Sequence, residues 1–285
     1  MVSILGQTFT DFEFLIINDG STDASESIIR SFNDPRIRYV RNEKNLRLIA
    51  TLNRGFDLAT GKYIARMDAD DIAVEERLRK QVDFLEANPL IGAVGSWIHT
   101  FDHADSVTRY PFSDVDNRYM SLHQCSFCHP TLLLRTSVIK DNHLTFSADY
   151  PRAEDYEFWL RLIDHCQTAN LQEVLLNYRS HDSNISKLET TTQIKNSLII
   201  RGMFFKKAGV DCDEKELDLY RRMKYHGNAF TETQLDRLTD LLNRLLEGNK
   251  QTRYIDSVEM QKKLSVQWFQ LCNNHSHHGI SIWRR

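Results

Sequence analysis

Apolar and polar positions in the first third of the chain follow a strand, helix, strand rhythm. "FEFLII" (12–17) is an apolar run that stops at the turn cluster "NDGSTD" (18–23). Ser21, Thr22 and Asp23 each suit the cap of a following helix, in which Ile28, Ile29 and Phe32 share a face. "RIRYVR" (36–41) alternates with period two and predicts a strand, and residues 42–45 form a loop. "LIATLNRGFDLA" (48–59) puts Leu48, Leu52 and Phe56 on one helical face, and Thr60 and Gly61 end it. "KYIARM" (62–67) predicts the next strand. Strands separated by helices predict a parallel sheet in an α/β domain. Ligands bind such sheets beyond the carboxyl ends of the strands. "NDGSTD" and "DADD" (68–71) both fall at such ends and are expected on one face.

Further along, "VEERLRKQVDFLEA" (74–87) predicts a helix closed by Asn88 and Pro89. "IGAVGSWIHTF" (91–101) and "TLLLR" (131–135) predict strands. "DYEFWLRLIDHC" (155–166) predicts a helix with Phe158, Trp159, Leu162 and Ile163 turned inward, and "EVLLNYR" (173–179) a last strand. From about residue 189 the pattern is helical, and "QLDRLTDLLNRLLEG" (234–248) lines Leu235, Leu238, Leu242 and Leu245 along one side.

The chain's 285 residues suffice for one large domain or a domain with an appendage. A formal net charge of -3 argues against a general nucleic-acid binder, which shows a basic excess. Five scattered cysteines imply no disulfide framework and fit a reducing compartment. Cys125 and Cys128 form a CxxC followed by His129, but no second ligand pair accompanies them, so an ordinary buried segment competes with a zinc site. The tail "HSHHG" (275–279) reads as a solvated end. No apolar run reaches the roughly 20 residues that span a membrane, and no signal peptide is visible at the start. A cytoplasmic protein is expected, at the inner face of the membrane if it is membrane-associated.

The chemistry concentrates in "YIARMDADD" (63–71), where an apolar run ends in Asp68, Asp70 and Asp71. Three carboxylates at a strand end repel one another, and a divalent cation relieves that repulsion. Mg²⁺ or Mn²⁺ prefers hard oxygen ligands of this kind together with substrate phosphates. The competing reading is capping of the 74–87 helix by Asp70 or Asp71. A strand followed by DxD serves both phosphatases that form a phospho-aspartate and nucleotide-sugar glycosyltransferases.

Five motifs in order bear on that choice: "FLIINDGSTD" (14–23), "NRGFDLATGKYIARMDADD" (53–71), "CHPTLLLR" (128–135), "AEDYEFWLRL" (153–162) and "VLLNYRSHDSNIS" (174–186). Together they resemble the family 2 glycosyltransferases over residues 3–186, and the phosphatase alternative has no comparable support. The resemblance implies a GT-A, Rossmann-like nucleotide-sugar-binding domain over 1–186 and a helical C-terminal region over 187–285. It implies an inverting transfer from a nucleotide-diphosphate sugar, a UDP-sugar first among them, to a glycan or lipid-linked acceptor in bacterial surface polysaccharide synthesis. It puts Asp19 on the nucleotide base, Asp68 on the ribose side, and Asp70 on the Mn or Mg ion that holds the diphosphate. Asp155 in the "ED" pair matches the catalytic base, and helix capping is a second role open to it. His181 resembles a residue that reaches the diphosphate or metal, Arg179 one that neutralises phosphate charge, and His129 with Pro130 a wall of the sugar or acceptor pocket.

The resemblance departs at two places. The family's first strand and most of its first helix have no counterpart before "SILGQTF" (3–9), and that strand is central in the sheet. Two readings follow: an active glycosyltransferase, or a truncated remnant that at most binds a partner. The flanking strands are expected either to close up and pair directly or to have the gap between them filled by a second chain. The second departure is Arg47, where the family has Gly, an arginine that contacts phosphate or obstructs the loop.

Overall fold

The computed structural model describes residues 1–181, 191–223 and 230–274. The "HSHHG" tail and the last five residues of "VLLNYRSHDSNIS" lie outside the described residues. The chain divides into two compact units, Met1–Asn117 with Ser126–Thr190, and Arg118–Cys125 with Thr191–Arg285.

The first unit opens with the short helix α1 (Val2–Leu5), then β1 (Phe14–Asn18), α2 (Ser25–Arg30), β2 (Ile37–Arg41), α3 (Arg47–Leu58) and β3 (Tyr63–Ala65). The predicted alternation is therefore present, but its sheet is not continuous. β1 pairs in parallel with β2, from Phe14↔Ile37 to Asn18↔Arg41, whereas β3 belongs to a second sheet ordered β3-β7-β5-β8-β4. Among the described residues β1 and β3 do not pair with each other. The flanking strands have not closed up, and the apolar residues of β1 from Phe14 to Ile17 stay only half-buried. Nearby apolar side chains are left in solvent, Ile28 at 55% and Leu48 at 40%.

The second sheet is mixed, which corrects the expectation of a parallel one. Its members are β3, β4 (Ile72–Ala73), β5 (Ile91–Asp102), β6 (Ser106–Thr108), β7 (Leu133–Arg135) and β8 (Gln167–Ser180). β5 and β8 run parallel, while β3–β7, β5–β7 and β4–β8 are antiparallel. Apolar period reveals that a strand exists and which face is buried, but it carries no information on the neighbour's direction.

Helix α4 (Arg77–Ala87) starts three residues later than its pattern suggests, with Glu76 as N-cap. Neither Asp70 nor Asp71 caps it, so that reading of the acidic cluster is excluded. The α2 cap also differs: Ala24 is the N-cap, although Asp23 Oδ1 does accept from Ser25 N at 3.0 Å. Between β6 and β8 the chain forms α5 (Asp114–Ser121), a 3-10 turn at His129–Thr131, α6 (Thr136–Asp141) and α7 (Glu154–Leu162).

One core lies between α4 and the β5–β8 pair, where Leu85, Val94, Leu133 and Ala169 are at most 2% exposed. A second is aromatic: Phe146 stacks on Phe158 at 4.4 Å and on Phe56 at 5.2 Å, tying α3 to α7. As predicted, Phe158, Trp159, Leu162 and Ile163 turn inward, each at most 2% exposed.

The second unit holds α8 (Thr191–Lys207), α9 (Glu214–Met223), α10 (Glu232–Thr252) and α11 (Ser257–Asn274). Thr231 and Gln234 form a reciprocal capping box at the start of α10. The Leu235, Leu238, Leu242 and Leu245 stripe is buried as its spacing predicts. Among the described residues no helix is long and apolar enough to cross a membrane.

Candidate functional site

The acidic loop is fixed by the strand on each side of it. β3 ends at Ala65, and the Arg66 backbone is held at both ends: its N–H donates to Leu132 O at 2.9 Å and its carbonyl accepts from Arg77 Nη2 at 2.7 Å. β4 then pairs Ile72 with Asn177 of β8, which sets Asp71 beside Arg179. The turn that results brings oxygens of Asp68, Asp70 and Asp71 within 4.8 Å of one another. Among the described residues no other group of three or more His, Cys, Asp or Glu is so placed, and Cys125, Cys128 and His129 do not form such a group.

Each carboxylate has its own partner. Asp68 meets Arg66 in a two-point fork, Nη1 to Oδ2 at 2.6 Å and Nη2 to Oδ1 at 2.5 Å. Asp70 Oδ2 lies 3.0 Å from His181 Nε2. Asp71 Oδ1 accepts from Arg179 N at 2.9 Å, while Asp71 Oδ2 is buried and has no hydrogen-bond partner among the described residues. Burial pushes the Asp71 carboxyl up to about 7, the Arg179 N–H opposes this, and the Asp68 and Asp70 charges add to the rise. A buried oxygen with an open lone pair, beside two further carboxylates, is a donor set suited to a hard divalent cation. Arg179 itself is spread over several contacts: Nε donates to Asp70 O at 3.0 Å, Nη1 pairs with Asp102 at 2.9 Å, and the guanidinium covers Phe101.

Asp155 is the second residue of α7, two positions beyond the N-cap Ala153, so it does not cap this helix. Its Oδ1 accepts from Tyr156 N at 2.7 Å. Burial and the neighbouring Glu154 push its carboxyl up to about 6, against the opposing pull of the Tyr156 N–H and Arg66. His129 sits on the 3-10 turn with its ring 5.2 Å from Phe146 and 6.1 Å from Trp159. Burial, and then the Arg66 charge, hold it well below the usual histidine range, so it is neutral at pH 7. The same Arg66 guanidinium thus acts on Asp68, Asp71, His129 and Asp155, which places these residues in one electrostatic neighbourhood.

Asp19 follows β1 and is held by the next loop. Its Oδ1 accepts from Asn42 Nδ2 at 2.7 Å and from Leu46 N at 2.8 Å. Burial raises its pKa, but these bonds and those from Thr51 and Arg47 outweigh it, and the net shift is downward. Asp19 is therefore ionised at neutral pH. Arg47, where α3 begins, adopts φ +69°, the left-handed region that favours glycine.

Three contributors were not singled out by pattern. Arg66 is a cation set between apolar residues two positions before the first Asp, a signal present in the sequence. Asn42, 1% exposed, reads as an ordinary loop residue but organises Asp19. Arg77, fully buried, reads as a surface residue of α4.

Comparison with known proteins places this geometry in a family. Residues 1–142 match the model described as Glycosyl transferase family 2. A Haemophilus influenzae protein named an uncharacterized glycosyltransferase is 35% identical over 228 residues, covering 73% of this chain and 70% of the relative. The Escherichia coli O-antigen biosynthesis glycosyltransferase WbnJ is 32% identical over 194 residues, 65% of this chain and 74% of WbnJ. Among solved structures, S. aureus TarS 1–349 in complex with UDP-GlcNAc matches with TM-score 0.63 at 17% identity, over 97% of this chain and 86% of that one. The mannosyltransferase PcManGT from Pyrobaculum calidifontis, in complex with GDP-Man and Mn²⁺, matches with TM-score 0.53 at 15% identity, over 100% and 82%. These two likenesses identify the fold as GT-A, with a helical C-terminal region.

Proposed function

The chain belongs to glycosyl transferase family 2, and from that premise we propose that it moves a hexosyl or N-acetylhexosaminyl group from a nucleotide-diphosphate sugar to a glycan or lipid-linked acceptor, with inversion. The observation that carries this reading is the Asp68, Asp70 and Asp71 cluster at the end of β3, with Asp155 under the same Arg66 charge. The setting is bacterial surface polysaccharide synthesis, as the name of the WbnJ relative supports.

In this reading Asp19 accepts a hydrogen bond from the nucleotide base, for which its low pKa and pre-bonded Oδ1 suit it. Asp68 faces the ribose. Asp70 and His181 would hold the divalent cation, Mn²⁺ or Mg²⁺, alongside Asp71. Such a cation, when bound, supplies charge that steadies the diphosphate as it leaves. Asp155 takes the proton of the acceptor hydroxyl as its oxygen attacks the anomeric carbon and the bond from that carbon to the diphosphate oxygen breaks. Arg179 contributes positive charge on the leaving-group side. Neutral His129, set among Phe146 and Trp159, walls the sugar or acceptor pocket without adding a charge. A UDP-sugar is the first donor to test, since TarS is solved with UDP-GlcNAc.

The test is donor-product binding. UDP is expected to bind more tightly with Mn²⁺ than with chelator, and Asp70→Ala to erase the difference. Equal affinity in both conditions for the unmodified protein overturns the metal assignment.

A further inference from the structure

Arg66 occupies an unusual place for a basic residue. Its side chain is 11% exposed and that of Asp68 35%, so the cation lies deeper than the anion it pairs with. Both Asp68 oxygens are taken by its guanidinium. Its backbone is pinned on one side by Leu132 O and on the other by Arg77. Arg77 is held in turn: Nε donates to Gln81 Oε1 at 3.2 Å, and Gln81 donates to Thr131 O at 2.7 Å. The guanidinium is therefore delivered to the carboxylates by a buried polar chain rather than by a freely swinging surface side chain. A buried cation persists only when its counter-charge is well placed. The reverse also holds: three clustered carboxylates need a cation near them when no metal is bound.

We propose that Arg66 is the resident counter-cation of the Asp68, Asp70 and Asp71 cluster, a positioning residue that clamps Asp68 and, by its charge, opposes a divalent cation at the neighbouring Asp70 and Asp71. The inference rests on the reading of the cluster as a metal site. Two opposing effects follow from one fork. Arg66 keeps the carboxylate loop folded without metal, because it offsets repulsion between like charges. It also weakens metal binding at Asp70 and Asp71, because its charge repels a second cation. The site is thereby tuned so that metal alone binds modestly and metal with a diphosphate binds well, since the negative phosphates offset the repulsion between the guanidinium and the metal. Arginine suits the role because its planar fork engages two oxygens at once, while lysine is a point charge.

The experiment is titration of the metal-free protein with Mn²⁺ alone, read by calorimetry, with thermal melting in chelator and in saturating Mn²⁺ as a second readout. Arg66→Gln is expected to bind Mn²⁺ about tenfold more tightly than the unmodified chain, within the usual range of coupling between neighbouring sites. Its melting temperature in chelator is expected to fall, and the rise on adding Mn²⁺ to widen. Arg66→Lys keeps the charge but loses the fork, so its Mn²⁺ affinity is expected between the two; it is the variant to use if Arg66→Gln does not fold. General structural damage lowers metal affinity and does not mimic this signature. Unchanged or weaker Mn²⁺ binding by both variants overturns the inference while leaving the metal site standing. Absence of saturable Mn²⁺ binding by the unmodified protein overturns the metal reading itself, and this inference with it.

Discussion

Replacing Asp155 by Asn separates the two demands the fold makes on that residue. The carboxyl is pushed from its ordinary 3.8 up to about 6, first by burial and then by Glu154. The folded protein therefore holds this proton more tightly than the unfolded chain does. Stability linked to Asp155 is retained below about pH 4, declines as pH rises between 3.8 and about 6, and stays reduced above that window. At about 1.4 kcal/mol per pH unit, ionised Asp155 destabilises the fold by at most about 3 kcal/mol at neutral pH. The side chain keeps part of its surface open, so about 1–2 kcal/mol is the expected size after solvent screening. Asn has the same shape, has no charge to desolvate, and keeps an oxygen to accept from Tyr156 N. Asp155→Asn is thus expected to melt about 2–6 °C higher than the unmodified chain at pH 7.5, by the scaling for chains of this size, and to match it at pH 4. Melts of both proteins at pH 4, 6 and 7.5 measure this. In the proposed mechanism the same substitution removes the base, so turnover is expected to fall about 10²-fold or more with donor binding intact. Turnover of the unmodified enzyme should rise with pH through about 6 and then level off. A stability difference that does not vary with pH, or Asp155→Asn melting lower at pH 7.5, refutes the reasoning.

Two further outcomes test the scaffold around the site. Arg47 at φ +69° carries strain of about 1 kcal/mol that glycine lacks, partly offset by glycine's greater unfolded entropy. Arg47→Gly is expected to raise the denaturation free energy by about 0.5 kcal/mol, and a loss of 1 kcal/mol or more in urea unfolding would mean the side chain holds the loop. Gly95 of β5 has no room for a methyl group, because an added Cβ would lie 2.3 Å from Asn170 Oδ1. Asn170, fully buried, donates to Pro111 O and Asn117 Oδ1, so Gly95→Ala is expected to destabilise by about 2 kcal/mol in the same assay, and near-neutrality would show that Asn170 can move at no cost.

Local pattern was enough for much of this protein. β2, α3 and the α10 leucine stripe were legible because each repeats its apolar residues at the period of its own backbone, and β1 because an apolar run stops at a turn cluster. The site was legible in outline, since carboxylates that follow an apolar strand are conspicuous, and five ordered motifs point to one family. What the pattern did not contain was partnership. β3 has the composition of a strand that continues the β1–β2 sheet, yet it pairs antiparallel with β7, and the sheet divides there. β4 is two residues long and carries no period at all, and it exists only because β8 offers it a hydrogen-bonding edge. The roles of Arg66 and Arg77 were hidden likewise: a basic residue on an amphipathic helix reads as solvated, and only packing against Arg66 O and Gln81 makes Arg77 an interior cation. The proton affinities of Asp71 and Asp155 belong to the same class, because desolvation depends on every element that closes over a group. A periodic sequence specifies which face of an element avoids water. Which other face it meets is the sum of many weak long-range contacts, and only the assembled tertiary structure decides it.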